Sequence, residues 1–335
     1  MHIKDKLELL LRGFYFPDEV KEEDFDYQGI FKGEGARKAE FVISKLHSEF
    51  ERPNEELSNY IFVSIGGADG SEVEEVLNRT AIQKAILVEY DDKAANAARA
   101  RAVNLQKNNK TLQVIQGDIT QKLDELVSEL KREKKNNHIH GLVLSAQAVL
   151  HELPDRSPNY RHNTLFGKLL NVFDNCFYFS REPIAPQGWP EKVEMKIEGV
   201  SSDRLSIFSG LVNDKLNITK EPIIPLEPYA EGFVNLCSTL AVETLHKLLR
   251  SDNDKQLAYE LQEQLTSIQP SHIQTILDKY LGHLSTTVEP TSTDGFVKAV
   301  KSAKVFVRNE QNAPLQLPQT HARFIAERVK KNSRE

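Results

Sequence analysis

The sequence predicts an α/β fold in which a doubly wound, mostly parallel sheet carries helices on both faces. Two observations predict it. Short apolar runs, typical of strands buried on both faces, alternate with segments whose apolar residues recur every three to four positions, as in amphipathic helices. A glycine-rich turn, "GGADG" at residues 66–70, follows the first of these strands. Ligands of such sheets bind outside the carboxyl ends of the strands, so this turn lies at the expected ligand edge.

The predicted elements follow in strand–helix order over the first half of the chain. The strand runs are rich in Val, Ile, Leu and Phe, and the helices are marked by apolar residues on one face. An aspartate at position 91 or 92 is the expected cap of the third helix. Strands are predicted at 60–65, 84–90, 112–118, 141–147 and 176–182, and helices at 36–50, 71–78, 91–108, 123–130 and 165–173.

The alternation stops after the fifth strand. Residues 183–192 hold three prolines and a glycine, which predicts a loop. We therefore expect a mostly helical insertion, residues 184–291, and a return to α/β order after it. Within the insertion, strands are possible at 192–199 and 204–212, a second proline-rich stretch is 221–232, and helices are predicted at 233–249, 257–268 and 273–281. After it, the sequence predicts a helix at 292–303, a strand at 304–310, and a helix or strand at 320–329.

Composition and charge limit the class of protein. The 335 residues carry a formal net charge of −6, which argues against a dedicated nucleic-acid-binding protein. The two cysteines, Cys176 and Cys237, are too few for a four-cysteine zinc site or a disulfide framework, and no metal site is predicted. The N-terminus is charged throughout, and no apolar run has the length of a membrane span. We therefore expect a cytoplasmic protein without a membrane partner.

The glycine-rich turn is compatible with two kinds of cofactor. A dinucleotide site requires G-x-G-x-x-G, but counting from Gly66 places Ala68 and Ser71 where the second and third glycines belong. This spacing disfavours a nicotinamide oxidoreductase. The stretch "VSIGGADG" instead resembles the first motif of the class I S-adenosylmethionine-dependent methyltransferases, with Gly66, Ala68 and Gly70 at the small positions. Ser64 stands in place of the usual acid, and Ala68 fits if its φ is negative.

Three further segments resemble motifs of the same family, in order along the chain. Glu89 ends the second strand and is expected to accept the ribose hydroxyls, because two adjacent donors match two carboxylate oxygens. The resemblance implies that Asp118 binds the adenine amino group, and that the end of the fourth strand passes the methionine part of the cofactor. It covers residues 36–183 and resumes at 292–329, implying a seven-stranded sheet, and the cofactor-binding domain is expected to comprise 36–183 and 292–335. The implied S-adenosylmethionine site consists of Gly66, Gly67, Ala68, Asp69, Gly70, Glu89, Tyr90, Asp118, Ile119, Ser145 and Ala146.

The candidate catalytic residues are His151 and Glu152, which follow the fourth strand. The histidine is suited to act as a base near neutral pH, with the glutamate orienting the acceptor, although a structural role for both is an alternative. We expect methyl transfer to an oxygen or nitrogen atom of a small molecule. A non-catalytic S-adenosylmethionine-binding protein and a protein-directed methyltransferase are alternatives. Residues 1–35 are interpreted as a lid, and residues 184–291 as an acceptor-binding cap or a homodimer contact.

Overall fold

The computed structural model describes residues 34–48, 50–51, 53–136, 139–153, 160–200, 232–250, 268–282, 286–291 and 294–329. Several predicted features lie outside these residues: nearly all of the lid at 1–35, the possible strand at 204–212, the proline-rich stretch at 221–231, and most of the helix at 257–268. None of the described helices is long and apolar enough to cross a membrane.

The first half of the chain confirms the predicted strand–helix order. The helices are α1 (Glu34–Ser48), α2 (Ser71–Arg79), α3 (Asp92–Gln106), α4 (Ile119–Asn136) and α5 (His162–Leu170), and the strands are β1 (Tyr60–Ile65), β2 (Lys84–Glu89), β3 (Thr111–Gln116), β4 (Gly141–Ala146) and β5 (Asn175–Gln187). All six residues of β1 and of β4 are buried, as continuous apolar runs require. Asp91 caps α3 by accepting a hydrogen bond from the amide of Ala94.

The second half of the chain mixes strands with helices. Its described elements are β6 (Lys192–Ile197), β7 (Val234–Cys237), α6 (Ser238–Arg250), α7 (Pro270–Leu281), β8 (Thr286–Thr291), α8 (Asp294–Ser302), β9 (Val305–Arg308) and β10 (Gln319–Arg328). The ambiguous segment at 320–329 is thus a strand. The described part of the insertion holds strands as well as helices, which differs from the mostly helical segment that the pattern predicts.

A seven-stranded sheet has the strand order β3-β2-β1-β4-β5-β10-β8. The pairs β1–β2, β1–β4, β2–β3 and β4–β5 are parallel. The chain therefore winds outward in one direction from β1 to β3 and in the other from β4 onward. The carboxyl ends of β1 and β4 flank the point where the winding reverses, which is where open α/β sheets bind their ligands.

The fifth strand is longer than predicted, because residues 183–187 continue it instead of forming a loop. Pro183 and Pro186 have no backbone N–H to donate to a sheet hydrogen bond, and for this reason the proline-rich sequence predicts a loop. The parallel ladder with β4 extends only from Asn175 to Phe179. Both prolines lie beyond this ladder, where an extended backbone with the fixed φ of proline is allowed.

The end of the seven-stranded sheet also differs from the prediction. The strand predicted at 304–310 forms β9, but β9 pairs with β6 in a separate three-stranded sheet of order β7-β6-β9. The outer strands of the large sheet are β10 and β8, and the sequence pattern did not predict β8. Within β9 only Val307 is fully buried, while Phe306 is exposed. This one-sided burial suits an antiparallel sheet with one solvated face.

The chain divides into two compact units whose bounds differ from the predicted domains. The sheet unit contains the described residues among 34–182, 268–289 and 322–329, so α7 belongs to it. The second unit contains those among 183–200, 232–250 and 290–321. Its core lies between the antiparallel sheet and helices α6 and α8, and includes Val193, Met195, Leu236, Leu245 and Val300. The insertion at 184–291 is therefore not one contiguous unit in space.

Candidate active site

The glycine-rich loop leaves the carboxyl end of β1 and enters α2 through a tight turn. The amide of Gly66 donates to the carbonyl oxygen of Val88 at 2.9 Å, and Gly70 donates to Gly67 at 3.1 Å. Gly66 and Gly70 have φ angles of 65° and 78°, which glycine adopts without strain. A Cβ atom on Gly66 would lie 2.9 Å from Val149, so the residue after β4 packs directly against the loop.

Ala68 occupies the middle of this loop in a conformation that favours glycine. Its φ is 48°, so the condition under which alanine fits here without strain, a negative φ, is not met. A non-glycine residue in the left-handed region costs on the order of 1 kcal/mol, and such strain persists where the surroundings fix the backbone. Ala148, after β4, has a φ of 58° and its amide donates to the carbonyl oxygen of Arg181 at 2.9 Å. Two strained alanines therefore lie at the carboxyl ends of neighbouring strands.

Glu89 connects the end of β2 to the glycine-rich loop. Its Oε2 accepts a hydrogen bond from the amide of Ala68 at 2.8 Å, and its Oε1 accepts one from the amide of Asp91 at 3.0 Å. These bonds explain how the strained conformation of Ala68 is held. Each carboxylate oxygen has a second lone pair, so Glu89 can still accept from a vicinal diol.

The other predicted nucleoside residues lie around the ends of β2 and β3. Asp118 Oδ1 accepts from the amide of Thr120 at 2.7 Å, which caps the start of α4. Ile119 is the first residue of α4 and is 4% exposed, so most of its side chain lies in the core. Tyr90, which follows β2, is 60% exposed. Glu89 and Tyr90 therefore lie at the carboxyl end of β2, next to β3 in the sheet.

Asp69 is half-buried, and its carboxylate is bonded within the loop and to α3. Its Oδ1 accepts from the amide of Ser71 at 3.0 Å, and its Oδ2 accepts from the guanidinium of Arg101 at 2.6 Å. Arg101 also donates to the carbonyl oxygen of Asp69 and to Glu74. Burial acts to raise the pKa of Asp69, but the hydrogen bonds from Ser71 and Arg101 lower it below its usual value. Asp69 therefore fixes the loop to α3.

A buried carboxylate, Glu72, lies beneath the loop and was not predicted. It is 2% exposed and accepts three hydrogen bonds: from Ser64 Oγ at 2.8 Å, Ser145 Oγ at 2.6 Å and Gln147 Nε2 at 2.8 Å. Because its hydroxyl is bound to Glu72, Ser145 supports the loop and its side chain is not presented to a ligand. Ala146 is likewise buried. The acid that the first motif lacks at Ser64 is thus supplied from the first turn of α2.

His151 forms a buried pair with a second unpredicted carboxylate, Glu182. The histidine Nδ1 lies 3.0 Å from Glu182 Oε2, while Nε2 lies 4.0 Å from Glu152 Oε1. Glu182 Oε1 accepts from the amide of Val149 at 3.2 Å and from Ser180 Oγ at 3.0 Å. A carboxylate accepts hydrogen bonds, so Nδ1 is the donor in this pair and Nε2 is the ring nitrogen that Glu182 does not engage. This arrangement makes Nε2 a candidate general base.

Comparisons with known proteins gave distant structural similarities. No family model and no curated protein matches the sequence. The chain is similar to the plantazolicin methyltransferase BamL in complex with a triazolic desmethylPZN analog and SAH, at 10% identity over 97% of this chain and 96% of that one, with a TM-score of 0.45. It is similar to the related BpumL in complex with a pentazolic analog and SAH, at 12% identity over 96% of each chain, with a TM-score of 0.42. An O-methyltransferase family protein from Burkholderia thailandensis has 10% identity over 90% of this chain and 64% of that chain, with a TM-score of 0.34.

The strand order and the position of the loop decide the fold class. The seven-stranded sheet ends in β5-β10-β8, the glycine-rich loop follows β1, and an acid ends β2. The chain has a doubly wound, Rossmann-like fold built on this seven-stranded, mostly parallel sheet. Within this fold the predicted residues of the loop, Glu89 and Tyr90 lie at the carboxyl ends of β1 and β2, and His151 follows β4.

Several buried titratable residues feel the charge of Glu182, the partner of His151. Burial and the charge of Glu182 raise the pKa values of Tyr160 and Tyr178 well above their usual value. Burial lowers the pKa of His162, although the carbonyl oxygen of Leu150, 3.1 Å from its Nε2, opposes this shift. Tyr160, Tyr178 and His162 are therefore neutral near pH 7.

No metal site accompanies these residues in the part of the chain that the structure describes. Within it, no group of three or more His, Cys, Asp or Glu residues could hold a metal ion. Glu72 and Glu182 escaped prediction because each is an ordinary acidic residue in a short local pattern. The one available signal was position: Glu182 ends the strand predicted at 176–182, and Glu72 lies in the first turn after the glycine-rich loop.

Proposed function

We propose that the protein binds S-adenosylmethionine and transfers its methyl group to an oxygen or nitrogen atom of a small-molecule acceptor. The doubly wound fold and the resemblance of its motifs to those of class I methyltransferases support the cofactor, and the ordered positions of Gly66, Glu89 and Asp118 support its orientation. The ribose would meet Glu89, the adenine would lie toward Asp118, and the methionine end would lie between the glycine-rich loop and the end of β4.

The pair formed by His151 and Glu182 carries the catalytic part of this proposal. The sulfonium of the cofactor is a strong electrophile, so the protein has to align the acceptor and remove its proton. His151 Nε2 is the atom that would accept this proton, since Nδ1 donates to Glu182 Oε2 at 3.0 Å. Glu182 would stabilise the imidazolium that forms, as a buried carboxylate 0% exposed to solvent. Glu152, near Nε2, would orient a hydroxyl or amine.

Calorimetric titration tests the cofactor assignment. We expect S-adenosylhomocysteine to bind with a micromolar dissociation constant, about −8 kcal/mol. Glu89→Ala should weaken binding by roughly 1.5–3 kcal/mol, typical of hydrogen bonds to a charged group. Glu125→Ala is the matched control, because Glu125 lies on the exposed face of α4 beside Lys122. Binding of NADH without binding of S-adenosylhomocysteine would contradict the proposal.

A ligand pair separates ribose recognition from a general effect on the loop. The wild type should prefer adenosine over 2′,3′-dideoxyadenosine, and Glu89→Ala should lose this preference. If Glu89 acts only through the amide of Ala68, the variant will weaken both ligands equally. That outcome would remove the ribose role while leaving the cofactor itself in place.

Turnover separates the proposed enzyme from the alternatives. Release of S-adenosylhomocysteine is measured with a panel of phenols, carboxylic acids and amines, and with peptides for a protein-directed enzyme. A specific observation favours the non-catalytic alternative: the first motif lacks its acid at Ser64 and has a strained alanine at position 68. Cofactor binding with no methylation of any acceptor class would support a binding or regulatory protein.

A further inference from the structure

Lys38 lies at the ligand edge of the sheet although it belongs to the helix that precedes β1. Its Nζ donates to the carbonyl oxygen of Gln147 at 3.1 Å, and Gln147 Nε2 donates back to the carbonyl oxygen of Lys38 at 3.3 Å. Gln147 is the first residue after β4 and is 4% exposed. These reciprocal hydrogen bonds hold the second turn of α1 at the carboxyl end of β4.

A second contact places the first turn of α1 against the start of α2, the helix that follows the glycine-rich loop. A Cβ atom on Gly35 would lie 1.9 Å from Ser71 Oγ and 2.9 Å from the amide nitrogen of Glu72. The start of α1 therefore touches the start of α2, and only glycine allows this approach. Lys38 follows Gly35 by about one helical turn and so lies on the same face. Its ammonium is held at the carboxyl end of β4, while the preceding turn of α1 touches the start of α2.

The ammonium of Lys38 forms no ion pair with a carboxylate among the described residues. Glu72 is occupied by Ser64, Ser145 and Gln147, and Asp69 is paired with Arg101. The described contact of Lys38 is with a neutral carbonyl oxygen. A lysine ammonium has three donors, so it can keep this bond and still bind an anion.

The ligand proposed for this edge carries one carboxylate. The methionine end of S-adenosylmethionine has an ammonium and a carboxylate, and it is the part expected between the loop and the end of β4. We infer that Lys38 Nζ binds the carboxylate of this methionine end. This inference rests on the proposed function and adds to it a residue outside the four motifs. Lys38 would select cofactors that have the carboxylate over nucleosides that lack it.

Calorimetry with three ligands tests the inference on the full chain. S-adenosylhomocysteine carries the carboxylate, decarboxylated S-adenosylmethionine lacks only this group, and 5′-methylthioadenosine lacks the whole amino-acid end. The variants are Lys38→Gln, which keeps a donor for Gln147, and Lys38→Arg, which keeps the charge. Lys45→Gln is the control on the same helix, since Lys45 pairs with Glu289 at 2.9 Å.

We expect Lys38→Gln to weaken S-adenosylhomocysteine binding by roughly 10- to 100-fold and to change binding of the two ligands without the carboxylate by less than about twofold. Lys38→Arg should restore most of the affinity, and Lys45→Gln should leave it unchanged. Melting temperatures without ligand show whether each variant folds; if Lys38→Gln does not, Lys38→Met and Lys38→Arg are compared instead.

Each contrary outcome has a distinct meaning. An equal loss for all three ligands would show that Lys38 is a structural contact between α1 and β4. An unchanged affinity for S-adenosylhomocysteine would show that the carboxylate lies elsewhere. Tighter binding to Lys38→Gln would show that the ammonium of Lys38 competes with that of the cofactor. Failure of the wild type to bind any of the three would instead contradict the proposed function.

Discussion

His151 Nδ1 lies 3.0 Å from Glu182 Oε2, and both side chains are buried. His151 follows β4, whereas Glu182 lies within the neighbouring strand β5 and also accepts a hydrogen bond from the amide of Val149, two residues before the histidine. One carboxylate therefore fixes the backbone after β4 and the orientation of the imidazole. This geometry is the reason to assign the proton transfer to Nε2.

Glu182→Gln is predicted to lower kcat by about 100-fold, at the low end of what a general base contributes, while the affinity for S-adenosylhomocysteine changes little. A glutamine oxygen can still accept from Val149 and Ser180, so the fold should persist. Its amide nitrogen can donate to Nδ1, which would place the histidine hydrogen on Nε2, where it blocks proton removal.

The measurement is single-turnover methylation with the acceptor found in the panel, across pH. His151→Gln should lose activity to a similar degree, and the double variant should be no worse than the single ones because the two residues act as one unit. Glu152→Gln is measured in the same way, as a comparison with a change at the residue next to His151. Additive losses in the double variant would show that Glu182 and His151 act separately.

The sequence predicted the half of the sheet that surrounds the candidate site. Strands such as β1 and β4 are buried along their whole length, so their residues form unbroken apolar runs that a local pattern reveals. The glycine-rich loop was recognisable because Gly66 and Gly70 adopt conformations that other residues avoid.

Other features depend on contacts between distant segments, which a local pattern does not contain. Glu72 resembles its neighbours Glu74 and Glu75 in the sequence, yet it alone points to Ser145, 73 residues away. Likewise, β9 was predicted as a strand, but nothing in its four residues specifies the sheet in which it pairs. Pairing partners are set by tertiary packing, which overrides local propensity.

Ala68→Gly is predicted to stabilise the protein slightly. Relief of the left-handed strain gains on the order of 1 kcal/mol, and the added flexibility of glycine in the unfolded chain offsets part of it, leaving about 0.5 kcal/mol. Ala100→Gly is the matched control, because Ala100 is exposed within α3 and should lose about 1 kcal/mol. Urea denaturation measures both. Equal destabilisation by the two changes would mean that Ala68 does not adopt a positive φ in solution.

His162 is predicted to make the protein less stable in mild acid. Its pKa is lowered by burial and by His272, against the effects of the Leu150 carbonyl oxygen and Glu182. Below about pH 6.5, His162 is therefore protonated to a greater extent in the unfolded chain than in the folded protein. The stability contributed by the neutral imidazole is complete above pH 6.5, its ordinary pKa, and is lost as pH falls below it.

Urea midpoints between pH 7.5 and 5.5 measure this dependence. One such proton contributes at most about 1.4 kcal/mol per pH unit. His162→Gln keeps a donor for the carbonyl oxygen of Leu150 and should flatten the profile, whereas His47→Gln, at an exposed position of α1, should leave it unchanged. A wild-type profile that is already flat over this range would contradict the assignment.

The last prediction concerns the carboxylate beneath the loop. If Glu72 replaces the acid missing at Ser64, the charge should be transferable between the two positions, whose side-chain oxygens are 2.8 Å apart.

Glu72→Ser removes the acceptor of Ser145 and Gln147 and should cost about 3 kcal/mol, because buried donors are left unsatisfied. Ser64→Asp alone places two carboxylates in contact and should also destabilise the protein. In the double variant one carboxylate is restored, so stability and S-adenosylhomocysteine affinity should recover by roughly 2 kcal/mol relative to the sum of the single changes. Additive losses in this double-mutant cycle would show that the carboxylate cannot be moved from position 72 to position 64. The stability of the loop would then depend on the position of Glu72 in α2 and not simply on a negative charge beneath the loop.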